Sequence, residues 1–572
     1  MFSHALAGAF LNYPQTTIPE GYMQRRDFLK TSALAGSAYF LFRKQALAAT
    51  ADAHIEVLVD EPIATIAPEI YGHFTEHLGG VIYDGVWVGE KSSIPNVHGI
   101  RKELVEKLKA IKAPVIRWPG GCFADSYDWK DGIGPRDKRP RRTNFWVDDG
   151  QAQKLPNDSV QKFEPNTFGT DEFVQFCKLS NAEPYVAANL RSLPPLSFDQ
   201  WVEYCNSPAH STTYADVRAA AGFPEPYNVR YWGIGNESWG CGGNFTPEEY
   251  SNEYRRFTAW VPGYGVDLRY IASGPNQDDV DWTTQFFEDI LHRRPIHPPF
   301  GWSVHNYTNA LEALKFNDQD AYSLFYQGTS TEQIIQNMWT AMGVFDREHR
   351  TRMVVDEYGP WYGAGTEVDP THIFGQQITM RDAIVTAFTL DIFNRHAEKV
   401  CMANCAQLIN CIDSLFLAHE DKFIVTPNFN VFEMYASHQG AKAVRTEIAA
   451  PSIGFTDIVK PDRWGPRREG ERSVQRSLTG LMGSASVNGK QVTLTVVNPH
   501  LTDGRDTQVA IRGGSVTSVA ATVLAASDIH AHNSFEQPNA VQSKSAQATA
   551  NGSTVSFTFP PMSITKLAIT LA

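Results

Sequence analysis

The sequence predicts an α/β fold, a (β/α)8 TIM barrel followed by a C-terminal antiparallel β-sandwich, and two patterns lead to this prediction. Between residues 67 and 440, amphipathic helical stretches alternate with short Gly- or Pro-containing breaks and apolar strands, which is typical of parallel βα units. After residue 441, short segments alternate apolar and polar residues, as strands of an antiparallel sheet do. A doubly wound sheet is the alternative for the first part, although no Gly-x-Gly-x-x-Gly follows a first strand.

The repeating unit of the barrel is readable along the chain. Leu104 and Leu108 fall at helical spacing within residues 100–111, Pro114 ends that helix, and a short strand then leads into Arg117. Further strands are predicted at residues 184–188, 231–234, 270–272, 302–304, 353–355 and 400–403. So many strands separated by helices over some 370 residues favour a closed barrel.

These patterns divide the chain into four parts. We expect residues 1–48 to form a leader, 49–66 an N-terminal strand, 67–440 the barrel, and 441–572 the sandwich. Residues 54–59 alternate like the later strands, so we expect the N-terminal strand to join the sandwich.

Composition restricts the classes of function. A net charge of -13 disfavours a nucleic-acid-binding surface, because such surfaces carry clustered Lys and Arg, and a neutral substrate fits better. A mean hydropathy of -0.31 argues against a protein with several membrane spans.

The cysteines predict neither a disulfide framework nor a metal site. There are seven, an odd number, and none shows paired metal-ligand spacing. Cys401, Cys405 and Cys411 lie in an apolar stretch and are interpreted as small buried residues.

The N-terminus predicts export. Arg25 and Arg26 precede an apolar run over residues 31–42, and a small-x-small cleavage pattern follows at residues 46–48, which resembles a twin-arginine signal peptide. The run is too short for the ~20 residues that a membrane-spanning helix needs. Met23 directly precedes the signal, so we expect translation to begin there and the mature protein to be periplasmic or secreted, free of the membrane. The alternative is a chance Arg-Arg pair in a leader without function.

Two glutamates directly follow or end predicted barrel strands, at the positions where TIM barrels have their active-site residues. Residues 231–235 run apolar into Asn236 and Glu237, and residues 352–355 run into Asp356 and Glu357. Active sites of TIM barrels gather at the carboxyl ends of the strands, and glycosidic bond cleavage needs one carboxylic acid and one carboxylate. Taken singly, each glutamate could instead form a structural ion pair.

The motifs together resemble the α-L-arabinofuranosidases of glycoside hydrolase family 51. The resemblance rests on the segments His73–Gly79, Arg117–Gly121, Asp131–Pro135, Gly235–Glu237, Asp356–Glu357 and Trp361–Tyr362, in this order and spacing. It implies a retaining glycosidase in which Glu237 is the acid/base and Glu357 the nucleophile, and which requires neither metal nor organic cofactor. The implied substrate is an arabinose-containing plant polysaccharide or oligosaccharide, and the implied assembly is a homo-oligomer, often a hexamer.

The resemblance also implies residues that grip the furanose or orient the nucleophile. They are Glu76, Arg117, Asn236, His305, Tyr307 and Gln407, and Trp239 and Trp361 could wall the pocket. Arg117 would keep Glu357 ionised, although a structural ion pair is its alternative. His305 could equally be a core histidine and Glu76 the partner of a nearby base.

One position departs from the family. Many members have Asn after the paired glycines Gly120 and Gly121, whereas this chain has Cys122, which cannot donate the same hydrogen bond. Two alternative functions also remain open: an endo-acting β-glucanase or xylanase that uses the same glutamates, and a carbohydrate-binding protein without catalysis.

Overall fold

The first described strand lies outside the barrel. The computed structural model describes residues 52–292, 297–309, 312–459 and 472–572, and β1 (Ala53–Thr65) is its first element. The predicted leader, with its twin-arginine signal, its cleavage pattern and Met23, lies outside the described residues.

Eight parallel strands then close into a barrel in chain order, which confirms the predicted (β/α)8 fold. They are β2 (Gly72–Phe74), β3 (Val115–Trp118), β4 (Glu183–Ala188), β5 (Tyr231–Ile234), β6 (Arg269–Ala272), β7 (Gly301–Asn309), β8 (Arg352–Trp361) and β9 (Val400–Cys405). Side chains from several barrel strands, including Tyr185, Tyr231 and Val354, form a separate apolar cluster. The barrel interior is therefore a packed core, with chemistry confined to its rim.

Helices lie on the outside of the barrel. The described α-helices are α1 (Lys102–Ala110), α2 (Thr170–Ser180), α3 (Pro195–Asn206), α4 (Thr213–Ala220), α5 (Pro247–Thr258), α6 (Val280–His292), α7 (Asp318–Gly343), α8 (Met380–Arg395) and α9 (Pro427–Tyr435). Local sequence explains their starts: Thr246 and Glu249 form a capping box on α5, with Pro247 at its first position. Among the described residues, no helix is both long and apolar enough to span a bilayer.

Shorter elements decorate the loops. Two-stranded pieces pair Asn96–Val97 with Ile100–Arg101, Arg142–Thr143 with Phe163–Glu164, Phe416–His419 with Lys422–Val425, and Ile453–Val459 with Arg472–Leu478. Single 3-10 turns occur at Pro68–Tyr71, Ala124–Ser126, Trp129–Gly132, Arg136–Lys138, Phe145–Asp148, Ala152–Lys154 and Ala436–His438.

The C-terminal domain is a ten-stranded sheet that includes β1. Its later strands are β10 (Lys442–Ala449), β11 (Met482–Asn488), β12 (Gln491–Asn498), β13 (Arg505–Arg512), β14 (Val516–Ala525), β15 (Lys544–Ala546), β16 (Thr549–Asn551), β17 (Thr554–Phe559) and β18 (Ser563–Leu571). Strand β1 lies between β10, to which it is antiparallel, and β13, to which it is parallel; the other pairs in this sheet are antiparallel. The alternation seen in residues 54–59 thus buries Ile55 and Val57 in the core of the sheet.

Helix α8 joins the barrel to the sheet. Every residue from 380 to 394 is buried, so the helix has no solvent face. Its Asp391 carboxylate accepts hydrogen bonds from the hydroxyls of Ser484 and Thr495 in the sheet, both at 2.6 Å, and from Tyr435 at 2.9 Å. These bonds satisfy a buried polar group and fix how the two domains meet.

Candidate active site

The predicted site residues come together at one end of the barrel. Asn236 and Glu237 follow β5, His305 and Tyr307 lie on β7, Glu357 and Trp361 lie on β8, Arg117 lies on β3, Glu76 follows β2, and Gln407 follows β9. This is the carboxyl end of the parallel strands, where the loops of a TIM barrel form its binding face.

Glu357 is held on both of its carboxylate oxygens. Arg117 donates from Nη1 to Oε1 at 2.6 Å, and the Tyr307 hydroxyl donates to Oε2 at 2.7 Å. Burial opposes ionisation of this carboxyl, but His305, Arg117 and the Tyr307 hydrogen bond together lower the pKa of Glu357 below its ordinary value. The group is therefore kept as a carboxylate within a nearly dry site.

A β-bulge places two consecutive acidic residues on the same side of β8. Val304 pairs with Val355, but the next residue, His305, pairs with Glu357, so Asp356 is the additional residue. Asp356 accepts from the Tyr185 hydroxyl at 2.8 Å and from the Asn404 amide at 2.9 Å, and it lies 3.6 Å from Arg117 Nε. From the sequence, Asp356 is identified only as part of a motif, and no contact is assigned to it. Its position directly before Glu357 was the signal that could have indicated a place in the site.

Arg117 connects the two strand ends. Its Nη2 donates to the Asn236 side-chain oxygen at 2.6 Å while its Nη1 binds Glu357, and its guanidinium lies 4.6 Å from the centre of the Phe74 ring. Burial opposes the charge of Arg117, but Asp356 and Glu357 raise its pKa further above the ordinary range. The ion-pair alternative for Arg117 and its site role are thus one and the same contact, because the pair is formed with Glu357.

Glu237 faces Glu357 across His305. The His305 Nδ1 lies 3.0 Å from Glu237 Oε1 and 3.5 Å from Glu357 Oε2, and one oxygen of each carboxylate lies within 4.8 Å of the other. Burial disfavours protonation of His305, but the two carboxylates raise its pKa above the ordinary value. His305 therefore belongs to the site rather than to the apolar core.

The backbone turns sharply to present Glu237. Gly235 and Glu237 have φ values of 79° and 38°, both in the left-handed region, and the φ of Glu237 is uncommon for a residue with a side chain. Such a conformation costs of order 1–3 kcal/mol and persists only where neighbouring contacts hold it. Buried Asp125 supplies one such contact, since its carboxylate accepts from the Asn236 backbone N–H at 3.2 Å.

Glu76 and Gln407 form a second buried pair. The Glu76 carboxylate accepts from Gln407 Nε2 at 3.0 Å and from the backbone N–H of Phe123 at 3.1 Å. Burial, followed by the charge of Glu357, raises the pKa of Glu76 to about 8. Its partner is therefore an amide, and not the base that sequence reasoning offered as an alternative.

The paired glycines let the backbone approach both carboxylates. A Cβ atom on Gly121 would lie 2.8 Å from Glu357 Oε1, and one on Gly120 would lie 2.5 Å from Glu76 Cγ. Only glycine fits at these two points, which explains the motif by close approach.

The expectation of no disulfide is wrong. Cys122 and Cys241 are bonded, with their Cα atoms 5.5 Å apart, and the remaining five cysteines are free and buried. The burial of Cys401, Cys405 and Cys411 agrees with their interpretation as core residues. The pair was missed because its members lie 119 residues apart and meet only after the barrel has formed.

Trp361 lines one side of the site. Its ring meets that of Tyr307 edge to face, with centroids 5.3 Å apart, and packs on Phe374 at 5.5 Å. Trp239 is partly buried against the barrel core. Aromatic faces of this kind suit the apolar surface of a sugar ring.

Three groups of described residues have the composition of a metal site. One is Glu237, His305 and Glu357, and a second is Glu237 with Cys122 and Cys241, whose sulfurs are committed to the disulfide. The third is Asp84, His372 and His419, where Asp84 also accepts from the Glu420 N–H and lies 3.5 Å from Arg101. A neighbouring guanidinium and a full set of donors suit hydrogen bonding between loops better than a cation.

Family models match two stretches of the chain. Residues 107–312 match the model described as "Alpha-L-arabinofuranosidase 1 domain", and residues 356–563 match "Alpha-L-arabinofuranosidase C-terminal domain". Of the predicted site residues, all except Glu76 lie within these two ranges.

Relatives match over nearly the whole chain. An "Intracellular exo-alpha-L-arabinofuranosidase" of Bacteroides ovatus is 33% identical over 548 residues, covering 94% of this chain and 99% of its own length. The crystal structure of a GH51 arabinofuranosidase from Xanthomonas axonopodis pv. citri has a TM-score of 0.81 at 32% identity, covering 91% of this chain and 100% of that one. An α-L-arabinofuranosidase from Thermotoga maritima, in an arabinose complex, has a TM-score of 0.74 at 29% identity, covering 91% and 100%.

Proposed function

Because the chain belongs to the α-L-arabinofuranosidases of glycoside hydrolase family 51, we propose that it releases terminal α-L-arabinofuranosyl residues by a retaining double displacement. Glu357 is the nucleophile and Glu237 is the acid/base. The substrate is an arabinose-containing plant polysaccharide or an oligosaccharide derived from it.

The separation of the two carboxylates carries the proposal. Retaining glycosidases hold their carboxyl groups ~5–5.5 Å apart, whereas inverting enzymes need ~6.5–9.5 Å to admit a water molecule. Here an oxygen of Glu237 lies within 4.8 Å of an oxygen of Glu357. That spacing supports direct attack by Glu357 on a sugar placed between them.

In the first step a Glu357 oxygen attacks the anomeric carbon, and the bond from that carbon to the leaving oxygen breaks. Glu237, in its protonated form, gives its proton to the leaving oxygen. Arg117 and Tyr307 each donate to a different oxygen of the Glu357 carboxylate, so its approach to the carbon is fixed before the substrate arrives.

In the second step Glu237, now a carboxylate, takes a proton from water while the water oxygen attacks the same carbon. The bond to Glu357 breaks, arabinose leaves with its configuration retained, and Glu237 again carries a proton. His305 contacts both carboxylates and can stabilise the negative charge as it passes from one glutamate to the other.

Neighbouring polar groups suit a neutral sugar. Asn236, Glu76 and Gln407 offer amide and carboxyl groups to ring hydroxyls, and Trp361 offers an aromatic face. The site therefore binds through hydrogen bonds and stacking rather than through charge.

Product analysis tests the function. The enzyme should hydrolyse 4-nitrophenyl α-L-arabinofuranoside, and proton NMR at early times should show the α-anomer of arabinose first. Release of reducing ends from carboxymethylcellulose or xylan, without arabinose, would instead support an endo-acting glucanase or xylanase. Binding of arabino-oligosaccharides with no hydrolysis would support a carbohydrate-binding protein.

We also propose that the protein is exported by the twin-arginine route to the periplasm or beyond. The Arg25-Arg26 motif supports this, and so does the disulfide, because disulfides persist in oxidising compartments. The Bacteroides relative is named intracellular, which describes that protein. Cell fractionation with Arg25→Lys and Arg26→Lys changed together tests the route: the variant should stay in the cytoplasm, and unchanged export would contradict it.

A homo-oligomer, often a hexamer in this family, is part of the same proposal. Sedimentation velocity of the mature chain tests it, since a monomer at micromolar concentration would contradict it.

A further inference from the structure

The disulfide joins two loops that leave non-adjacent strands of the barrel. Cys122 directly follows Gly121 in the loop after β3, and Cys241 lies four residues beyond Glu237 in the loop after β5. Strand β4 lies between β3 and β5, so no backbone ladder connects these loops at this point. The covalent bond is therefore a direct tie between the Gly120-Gly121 turn and the turn that presents Glu237.

The disulfide contacts the Oε2 atom of Glu237. The Cys241 sulfur lies 3.5 Å and the Cys122 sulfur 3.7 Å from Glu237 Oε2, while Oε1 faces His305 at 3.0 Å. The Cys241 sulfur also lies 4.0 Å from the Asn236 amide nitrogen. The Oε1 atom of Glu237 is thus next to a histidine, and the Oε2 atom is next to the two sulfur atoms of the disulfide.

We infer that the Cys122–Cys241 disulfide is a positioning element for proton transfer by Glu237. This inference rests on the proposed function, because it requires Glu237 to be the acid/base. The disulfide holds Oε2 against two sulfur atoms that have no proton to donate and accept only weakly, so a proton on Oε2 is given to the leaving oxygen rather than shared with these sulfur atoms.

Reduction changes that surface in two ways. Two unbonded sulfur atoms must move apart to van der Waals distance, so at least one of the two cysteine side chains moves, and its loop can shift with it. Each new thiol is also a weak donor and acceptor beside Oε2. Glu237 has a left-handed backbone conformation, which depends on its surroundings, so a shift of its loop changes the direction of the carboxyl group.

The chain allows this bond to be addressed selectively. The other five cysteines are all buried, so a thiol reagent applied to the folded, reduced protein should label Cys122 and Cys241 alone. Dithiothreitol breaks the S–S bond by exchange: each cysteine sulfur gains one electron and one proton, and the reagent is oxidised to its cyclic disulfide.

The test compares two leaving groups. 4-Nitrophenolate departs without a proton, whereas a sugar oxygen needs one, and general acid catalysis contributes ~10²–10⁴-fold to such a step. We expect kcat/KM of the C122S/C241S variant to fall about tenfold on an arabino-oligosaccharide but less than about threefold on the aryl glycoside. The wild type reduced by dithiothreitol should behave in the same way, and the variant should not respond to the reagent.

Several controls keep the outcomes distinct. Equal losses on both substrates, or no loss on either, would overturn the inference. Thermal melts show whether the variant is folded; if it is not, reduction of the wild type alone, followed by mass spectrometry of labelled cysteines, decides the matter. The E237Q variant separates the two levels: if it lacks the leaving-group difference, the proposed acid/base role fails, and if it shows that difference while the reduced enzyme does not, only the role of the disulfide fails.

Discussion

The two glutamates of the site have opposite surroundings. Glu357 is 7% exposed in its side chain and is bound by an arginine and a tyrosine, with a histidine nearby, whereas Glu237 is 21% exposed and has one histidine and a disulfide as neighbours. A nucleophile must remain charged and fixed, and a dense set of donors achieves this. An acid/base gains and loses a proton in each turnover, so fewer donors and more solvent suit it. The difference in surroundings therefore parallels the difference in proposed roles.

The largest effect should follow removal of the nucleophile. Glu357→Ala leaves no group to attack the anomeric carbon, so kcat on the aryl arabinofuranoside should fall roughly 10⁴-fold or more. Stopped assays with concentrated enzyme measure it, and Glu225→Ala, at an exposed glutamate, is the matched control. Activity within tenfold of the wild type would reverse the assignment of roles.

Removal of the acid/base should be milder and depend on the leaving group. Glu237→Ala should reduce kcat/KM on an arabino-oligosaccharide by ~10²–10⁴-fold and on the aryl glycoside by less than about tenfold. Azide should raise kcat on the aryl glycoside and yield arabinofuranosyl azide, because a small anion needs no base. If azide has no effect on this variant, the comparison of the two glutamates loses its basis.

Tyr307→Phe should weaken the hold on Glu357 without removing it. Burial opposes ionisation of Glu357, and the lost hydroxyl is one of the groups that lower its pKa, so the pKa should rise. The reaction needs Glu357 in its ionised form, so activity falls at pH values below its pKa. The acidic limb of the plot of kcat/KM against pH should therefore move to higher pH by less than about one unit. At the optimum pH, kcat/KM should fall about tenfold. Tyr264→Phe is the control. An acidic limb that does not move in Tyr307→Phe would contradict the role of Tyr307 in keeping Glu357 ionised.

The smallest effect concerns stability. Burial raises the pKa of Glu76 from 4.5 to about 8, so the folded chain binds this proton more tightly than the unfolded chain does. That stabilisation is complete below about pH 4.5 and is lost as the pH rises towards 8. The Glu76→Gln side chain cannot lose a proton, so the variant does not lose this stabilisation. The Tm of the variant minus the Tm of the wild type should therefore increase by roughly 1–3 °C from pH 5 to pH 8. Parallel Tm curves in calorimetry would place the Glu76 carboxylate in a better solvated environment.

The barrel can be predicted from the sequence because each of its strands and helices produces a local pattern of apolar residues. Residues 231–234 were predicted as a strand with the bounds that β5 has, and the polar residues that follow strands meet at one rim because parallel strands end together. Local apolar periodicity and closure of the barrel suffice for these features.

Other features depend on contacts that no local pattern encodes. The bulge at Asp356 is a shift of register between two strands, and either strand alone gives no sign of it. The Cys122–Cys241 bond needs the loops after β3 and β5 to meet over an intervening strand. An odd cysteine count, read without the fold, pointed away from that bond.

Helix α8 has a consequence for how the protein unfolds. Since it is buried on all sides and Asp391 bonds to hydroxyls of the sheet, separating the two domains would expose an apolar helix and a carboxyl whose pKa burial raises to about 6. The change of pattern at residue 441 therefore marks a change of secondary structure but not of cooperativity. Barrel and sheet should melt in one calorimetric transition, and neither half can be exchanged between relatives without its counterpart.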